Sequence, residues 1–105
     1  MTHGNIFEKI PSDISNEVFE LLAQKNGVKI ERIISKGHSS PETGWYDQDQ
    51  SEWVIVLKGA AEISFENGSV VGLNEGDYLL IEPHEKHKVT NTSTNPETIW
   101  LAVHY

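Results

Sequence analysis

From Val28 to the C-terminus, no apolar stretch continues beyond strand length before a turn signal interrupts it. The longest apolar runs, residues 53–57 (WVIVL) and 99–103 (IWLAV), are too short for buried helices and are rich in β-branched and aromatic side chains. Ala61, Ile63 and Phe65 alternate with Glu62, Ser64 and Glu66, which predicts a strand with one wet face. Asn67-Gly68 supplies a hairpin turn after it, and residues 69–73 form the returning strand. In residues 52–57, Val54 and Val56 share a face with Glu52 while Trp53, Ile55 and Leu57 take the other, so this strand is expected to be covered on both sides. Residues 28–34 alternate in their first half, residues 36–44 form a Gly, Ser and Pro loop, and residues 97–104 form a final strand. About seven closely spaced strands with no helix between them predict an all-β antiparallel sandwich or barrel.

The N-terminal quarter reads differently. Residues 1–15 are polar around a small apolar island and are expected to be an arm. In residues 16–25, Val18, Phe19, Leu21 and Leu22 fall at helical spacing ahead of Asn26-Gly27, which predicts a short helix. The expected organisation is an arm and short helix over 1–27 and a barrel over 28–105, together one domain. A chain of 105 residues buries roughly 65% of its unfolded surface, so its core needs no staples.

Absence of cysteine excludes disulfides, thiolate zinc sites and cysteine nucleophiles. The net charge of -8, with no basic cluster, argues against nucleic-acid binding. No basic start followed by an apolar stretch precedes the strands, so the expectation is a soluble, cytoplasmic protein without membrane association.

Side chains able to carry chemistry gather at residues 45–52 and 84–91. The stretch 76–91, GDYLLIEPHEKHKVTN, reads as strand, tight bend and strand. Alternation in its second strand sets Lys86, Lys88 and Thr90 on one face and His87, Val89 and Asn91 on the other. Unpaired lysines stay in water, so His87 is expected to point inward, where an imidazole needs a partner or a metal. A satisfied core histidine, bonded to another side chain or to a backbone carbonyl, is the alternative. His3, His38 and His104 lie in a tail, a loop and the last strand and receive no role.

These residues resemble the two motifs of the cupins. The second cupin motif, Gly-x5-Pro-x-Gly-x2-His-x3-Asn, is matched at Gly76, His87 and Asn91, with Glu82 in the proline slot and His84 in the glycine slot. Glu52 and Gly59 match the closing half of the first, Gly-x5-His-x-His-x3 or x4-Glu-x6-Gly. Its two histidine slots hold Trp45 and Asp47 with the longer spacer, or Tyr46 and Gln48 with the shorter one. ERIISKG, WYDQ and IWLAVHY further resemble a bacterial branch of small single-domain, type 2-like cupins of the RmlC-like kind.

The resemblance implies a jelly-roll β-barrel. In metal-binding cupins, the two histidines and glutamate of the first motif and the histidine of the second surround one divalent ion inside the barrel. Carried over, that set is Glu52 and His87 with Asp47 as a third ligand, Gln48 in the other register, and His84 contributing from the barrel mouth. The ion would be Fe, Mn, Ni or Zn. Trp45 and Tyr46 would wall a ligand cavity to which Gln48 and Asn91 add polar contacts, and His87 and Glu52 would be the catalytic pair.

Three functions are open to such a site. The leading expectation is a small-molecule-binding barrel that holds the divalent metal, an enzyme of oxygenase, isomerase or lyase type if it turns its ligand over; an alternative is a metal-free module that binds a small molecule without turnover. The third is a metal-independent isomerase or epimerase with His87 as base. The apolar strand 52–57, the Trp100 strand and the arm also predict a homodimer.

Overall fold

Period-2 alternation and Asn-Gly turns resolve into strands throughout the computed structural model, which describes residues 1–105. In order they are β1 (Val18–Lys25), β2 (Val28–Ser35), β3 (Glu52–Lys58), β4 (Ala61–Phe65), β5 (Val70–Leu73), β6 (Tyr78–Ile81), β7 (His87–Thr92) and β8 (Thr98–His104). All named pairings are antiparallel. A five-stranded sheet of order β1-β2-β8-β3-β6 faces a three-stranded sheet of order β5-β4-β7, the antiparallel two-layered architecture expected from the strand spacing and the jelly roll implied by the cupin resemblance. No helix is long and apolar enough to cross a membrane.

The helix expected over residues 16–25 is instead β1, paired with β2 along its length. Asn26 and Gly27 both take positive φ, 50° and 82°, so they form a two-residue hairpin turn and not a helix stop. A register shift between Leu21 and Ala23 inserts Leu22 as an extra residue. That bulge breaks the two-residue period and makes Val18, Phe19, Leu21 and Leu22 mimic helical spacing.

Residues 1–15 form an arm. Arg32, 4% exposed on the outer side of β2, fastens it by donating to the carbonyls of Ile6 (3.0 Å), Glu8 (2.6 Å) and Lys9 (3.3 Å). The same guanidinium donates to both carboxylate oxygens of Glu20 on β1, at 2.9 and 2.7 Å.

The core lies between the sheets, with Ile33, Val54, Val56, Trp100 and Ala102 from one and Ala61, Ile63, Phe65 and Leu73 from the other. On β3, Val54 and Val56 are buried as the alternation predicted, while Trp53, Ile55 and Leu57 lie half-buried on the outer face. Gly59 closes this strand at φ 84°, where a Cβ would come within 2.9 Å of the Glu97 carbonyl.

Candidate functional site

The inner face of the five-stranded sheet turns polar at one end because the strand register places ionisable residues side by side. Glu52 on β3 pairs with His104 on β8, and His104 pairs in turn with Lys29 on β2. Two residues along β2, Glu31 shares the inner face with Lys29. His87 opens β7 on the opposite sheet.

The loop between β2 and β3 closes the site by bridging to β7. The Tyr46 N–H donates to the His87 carbonyl (2.8 Å) and the His87 N–H to the Tyr46 carbonyl (3.2 Å). Directly paired residues share a face of the sheet, so Tyr46 turns inward beside His87, their ring centroids 5.6 Å apart. Gln48 follows at the same parity. Of the two spacings compatible with the first motif, the folded chain uses the shorter.

Trp45 and Asp47 consequently face outward, which corrects the expectation that they wall the cavity and bind a metal. Trp45 lies under Lys88, whose Nζ is 4.4 Å from the ring centroid. Asp47 is 2.7 Å from His84 Nδ1, and both are exposed. His84 occupies the motif's glycine slot with the left-handed backbone that slot requires (φ 61°), and its imidazole stands outside between Asp47 and Asp49. Asn91 is also displaced. A bulge in β7 inserts Thr90, so the parity flips: Asn91 is exposed, and Thr92 turns in to donate to the His38 carbonyl at 2.7 Å.

Both sheets line a cavity of about 350 Å³ that includes Tyr46, Gln48, Glu52, His87, Trp100 and His104. His87 Nδ1 donates to the Glu85 carbonyl at 2.8 Å, which leaves Nε2 aimed at Glu52 Oε1, 3.6 Å away. That is an ion-pair distance, too long for a direct hydrogen bond. The Gln48 amide donates to Glu52 Oε1 at 3.0 Å. Across the cavity His104 Nε2 donates to Glu31 Oε1 at 2.9 Å and lies 3.9 Å from Glu52 Oε2. Two imidazole–carboxylate pairs therefore meet at Glu52.

Burial alone would raise the Glu52 carboxyl, but the imidazole of His87, the Gln48 amide and the charge of His104 outweigh it and hold the group below its ordinary value near 4.5. Burial would likewise depress His87. The Glu52 carboxylate and the Glu85 carbonyl instead hold its imidazole above the ordinary 6.5.

These opposite directions set a pH window. The depressed carboxylate contributes stability above about 4.5 and loses it as pH falls through the lowered value, whereas the raised imidazole contributes fully below about 6.5 and loses it as pH rises through the raised value. The pair is expected to stabilise the fold most between those limits. Urea unfolding at about pH 5.5 and about pH 8.5 should show a loss at the higher pH that shrinks in Glu52→Gln.

The donors do not fit a resident divalent ion. Of the ligand set implied by the motifs, Glu52, His87 and Gln48 face the cavity, and although Glu31 and His104 stand beside them, no three His, Asp or Glu side chains are arranged to hold a metal. The first-motif histidine positions carry Tyr46 and Gln48. An ionised carboxylate only accepts, so Gln48 must present its NH₂ to Glu52, directing a donor at the oxygen a metal would use. Glu31 and His104, which received no role from the sequence, are the other polar half of the cavity. Their strands carry apolar side chains on both faces near the site, so alternation left their direction open.

A profile of the cupin domain matches residues 31–104. Among solved structures, a Ralstonia eutropha protein with a proposed mannose-6-phosphate isomerase identity is 42% identical, with a TM-score of 0.92, 99% of this chain covered and 97% of that one. An RmlC-like cupin from Desulfovibrio desulfuricans superposes at a TM-score of 0.77 and 20% identity, over 99% of this chain and 96% of that one. An RmlC-like cupin with a double-stranded β-helix fold from Methanocaldococcus jannaschii gives a TM-score of 0.71 at 18% identity, over 91% of this chain and 85% of that one. No curated protein matches the chain. With the domain profile spanning most of its length and a 42% identical structural relative over nearly all of it, the chain belongs to the cupin family.

Proposed function

We propose that the barrel binds a small polar organic molecule and that His87 moves a proton on it, an isomerase- or epimerase-type reaction that needs no resident metal. The observation that carries this reading is the orientation of His87: Nδ1 is committed to the Glu85 carbonyl, while Nε2 faces the cavity 3.6 Å from a carboxylate. In its neutral form Nε2 accepts a proton from a C–H beside a carbonyl. Glu52, remaining ionised, stabilises the imidazolium that results. The electron pair of the broken C–H bond passes to the carbonyl oxygen, which becomes the enolate oxygen. To complete isomerisation His87 returns its proton to the former carbonyl carbon while the proton of the neighbouring hydroxyl moves to the enolate oxygen; epimerisation instead takes a proton from water on the opposite face, and His87 passes its own to solvent. The 42% identity to a protein with a proposed isomerase identity supports this class of reaction.

Incubation with sugar-sized hydroxy-carbonyl compounds in deuterium oxide tests it. Carbon-bound deuterium should appear with the wild type, survive prior EDTA treatment and vanish with His87→Ala. Loss of exchange on EDTA treatment, restored by Mn, Fe, Ni or Zn, would return the site to metal chemistry. Binding without exchange would leave a binding module.

A homodimer is part of the same proposal. The register of β3 with β6 and β8 aligns Trp53, Ile55, Leu80, Leu101 and Val103 on the outer face, and Trp53 stacks on Tyr78. Leu80 and Tyr78 are 43% and 65% exposed. A strip without charge inside it suits a second copy of itself, packed about a two-fold axis. Light scattering at micromolar concentration should give twice the mass of the 11.8 kDa chain, and Ile55→Glu should halve it.

A further inference from the structure

We infer that the substrate is an unphosphorylated, neutral hydroxy-carbonyl compound and that the cavity selects against phosphate esters. This rests on the reading that the barrel holds the substrate, and it departs from the sugar phosphate in the identity proposed for the Ralstonia relative.

A phosphate monoester carries close to two negative charges at neutral pH and is held by guanidinium forks, lysines or helix N-termini. The cavity has none of these free. The fold has no helix. Arg32, the chain's single arginine, lies on the outer face, committed to the arm carbonyls and Glu20. Lys29 is the one lysine lining the cavity, and its Nζ is 3.9 Å from Glu31 Oε2.

Three carboxylates, Glu17, Glu31 and Glu52, line the same space. With both His87 and His104 protonated these side chains sum to zero charge, and with both neutral they sum to minus two. No protonation state of the two imidazoles makes the cavity positive. Asp47 and Asp49 flank Gln48 on the outside of the loop, and the whole chain carries a net charge of -8, so an anion is repelled on approach as well as in place. Hydroxyl groups meet the opposite situation, because carboxylate oxygens accept from them.

Calorimetric titration with matched pairs, mannose against mannose 6-phosphate and fructose against fructose 6-phosphate, tests the inference. The unphosphorylated member should bind at least about tenfold more tightly, since like charges brought together across an interface oppose binding. In Glu17→Gln/Glu31→Gln, checked for folding by circular dichroism, that preference should narrow. Tighter binding of the phosphorylated members, abolished by His87→Ala, would overturn the charge argument and leave the barrel as the binding site. Binding of either member that persists unchanged in His87→Ala would place it elsewhere and overturn both. Failure of all four compounds to bind would overturn the substrate class named here.

Discussion

Replacing His87 with alanine is expected to slow the proton transfer by about 10²- to 10⁴-fold, the range a single positioned acid–base group supplies. The imidazole is the group whose free nitrogen enters the cavity, and its other nitrogen is fixed by the Glu85 carbonyl, whereas the other cavity imidazole, His104, has its Nε2 engaged by Glu31. The chemistry needs the neutral ring. Activity should therefore rise with pH through the raised value of His87 and level off above it. Glu52→Gln separates a base from a merely structural histidine. It removes the charge that holds His87 up, so the midpoint of the pH profile should move to lower pH while the rate also falls. A Glu52→Gln variant that lost activity with an unmoved midpoint would show that another group titrates. Gln48→Ala should cost less than either, because it frees one oxygen of Glu52 without removing a charge.

The sequence made half of this site legible. Glu52 and His87 sit at motif positions whose neighbours, Val54, Val56 and Val89, declare the inner face through alternation. Tyr46 and Gln48 could not be separated from Trp45 and Asp47, because the first motif tolerates two spacers and a one-residue change reverses every side chain. A non-local contact made the choice: the bridge between Tyr46 and His87. The outward turn of Asn91 is hidden for the same kind of reason, since the bulge at Thr90 is a property of the β4–β7 pair and not of either strand alone.

His104 and Glu31 were hidden by composition. Ile99, Leu101 and Val103 are as apolar as Trp100 and Ala102, and in β2 a lysine and a glutamate look like a solvent face until the cavity behind them is known. Asn26-Gly27 carried the same hairpin signal as Asn67-Gly68. It was masked because the bulge at Leu22 gave β1 an apparent helical period.

Trp100→Ala is expected to destabilise the fold by about 3–5 kcal/mol, the usual cost of truncating a buried tryptophan. That is a large share of the roughly 5–15 kcal/mol available to a domain of this kind. Trp100 is 3% exposed and stands opposite Val56 on one neighbouring strand and Ile33 on the other, so its indole ties the central strands of the large sheet to the core. It also anchors a polar chain. Its Nε1 donates to Ser35 Oγ at 3.2 Å, and Ser35 donates to Glu17 at 2.7 Å, where the carboxylate reaches the cavity. Trp100→Phe divides the two contributions. It keeps most of the apolar contact and removes only the N–H, leaving Ser35 its bond to Glu17, so about 1–2 kcal/mol is expected. Urea unfolding of the three proteins, followed through the remaining Trp45 and Trp53, gives both differences. A Trp100→Ala cost below about 1 kcal/mol would mean that the neighbouring side chains close the space the indole leaves, and that the cavity floor is softer than its buried, bonded tryptophan implies.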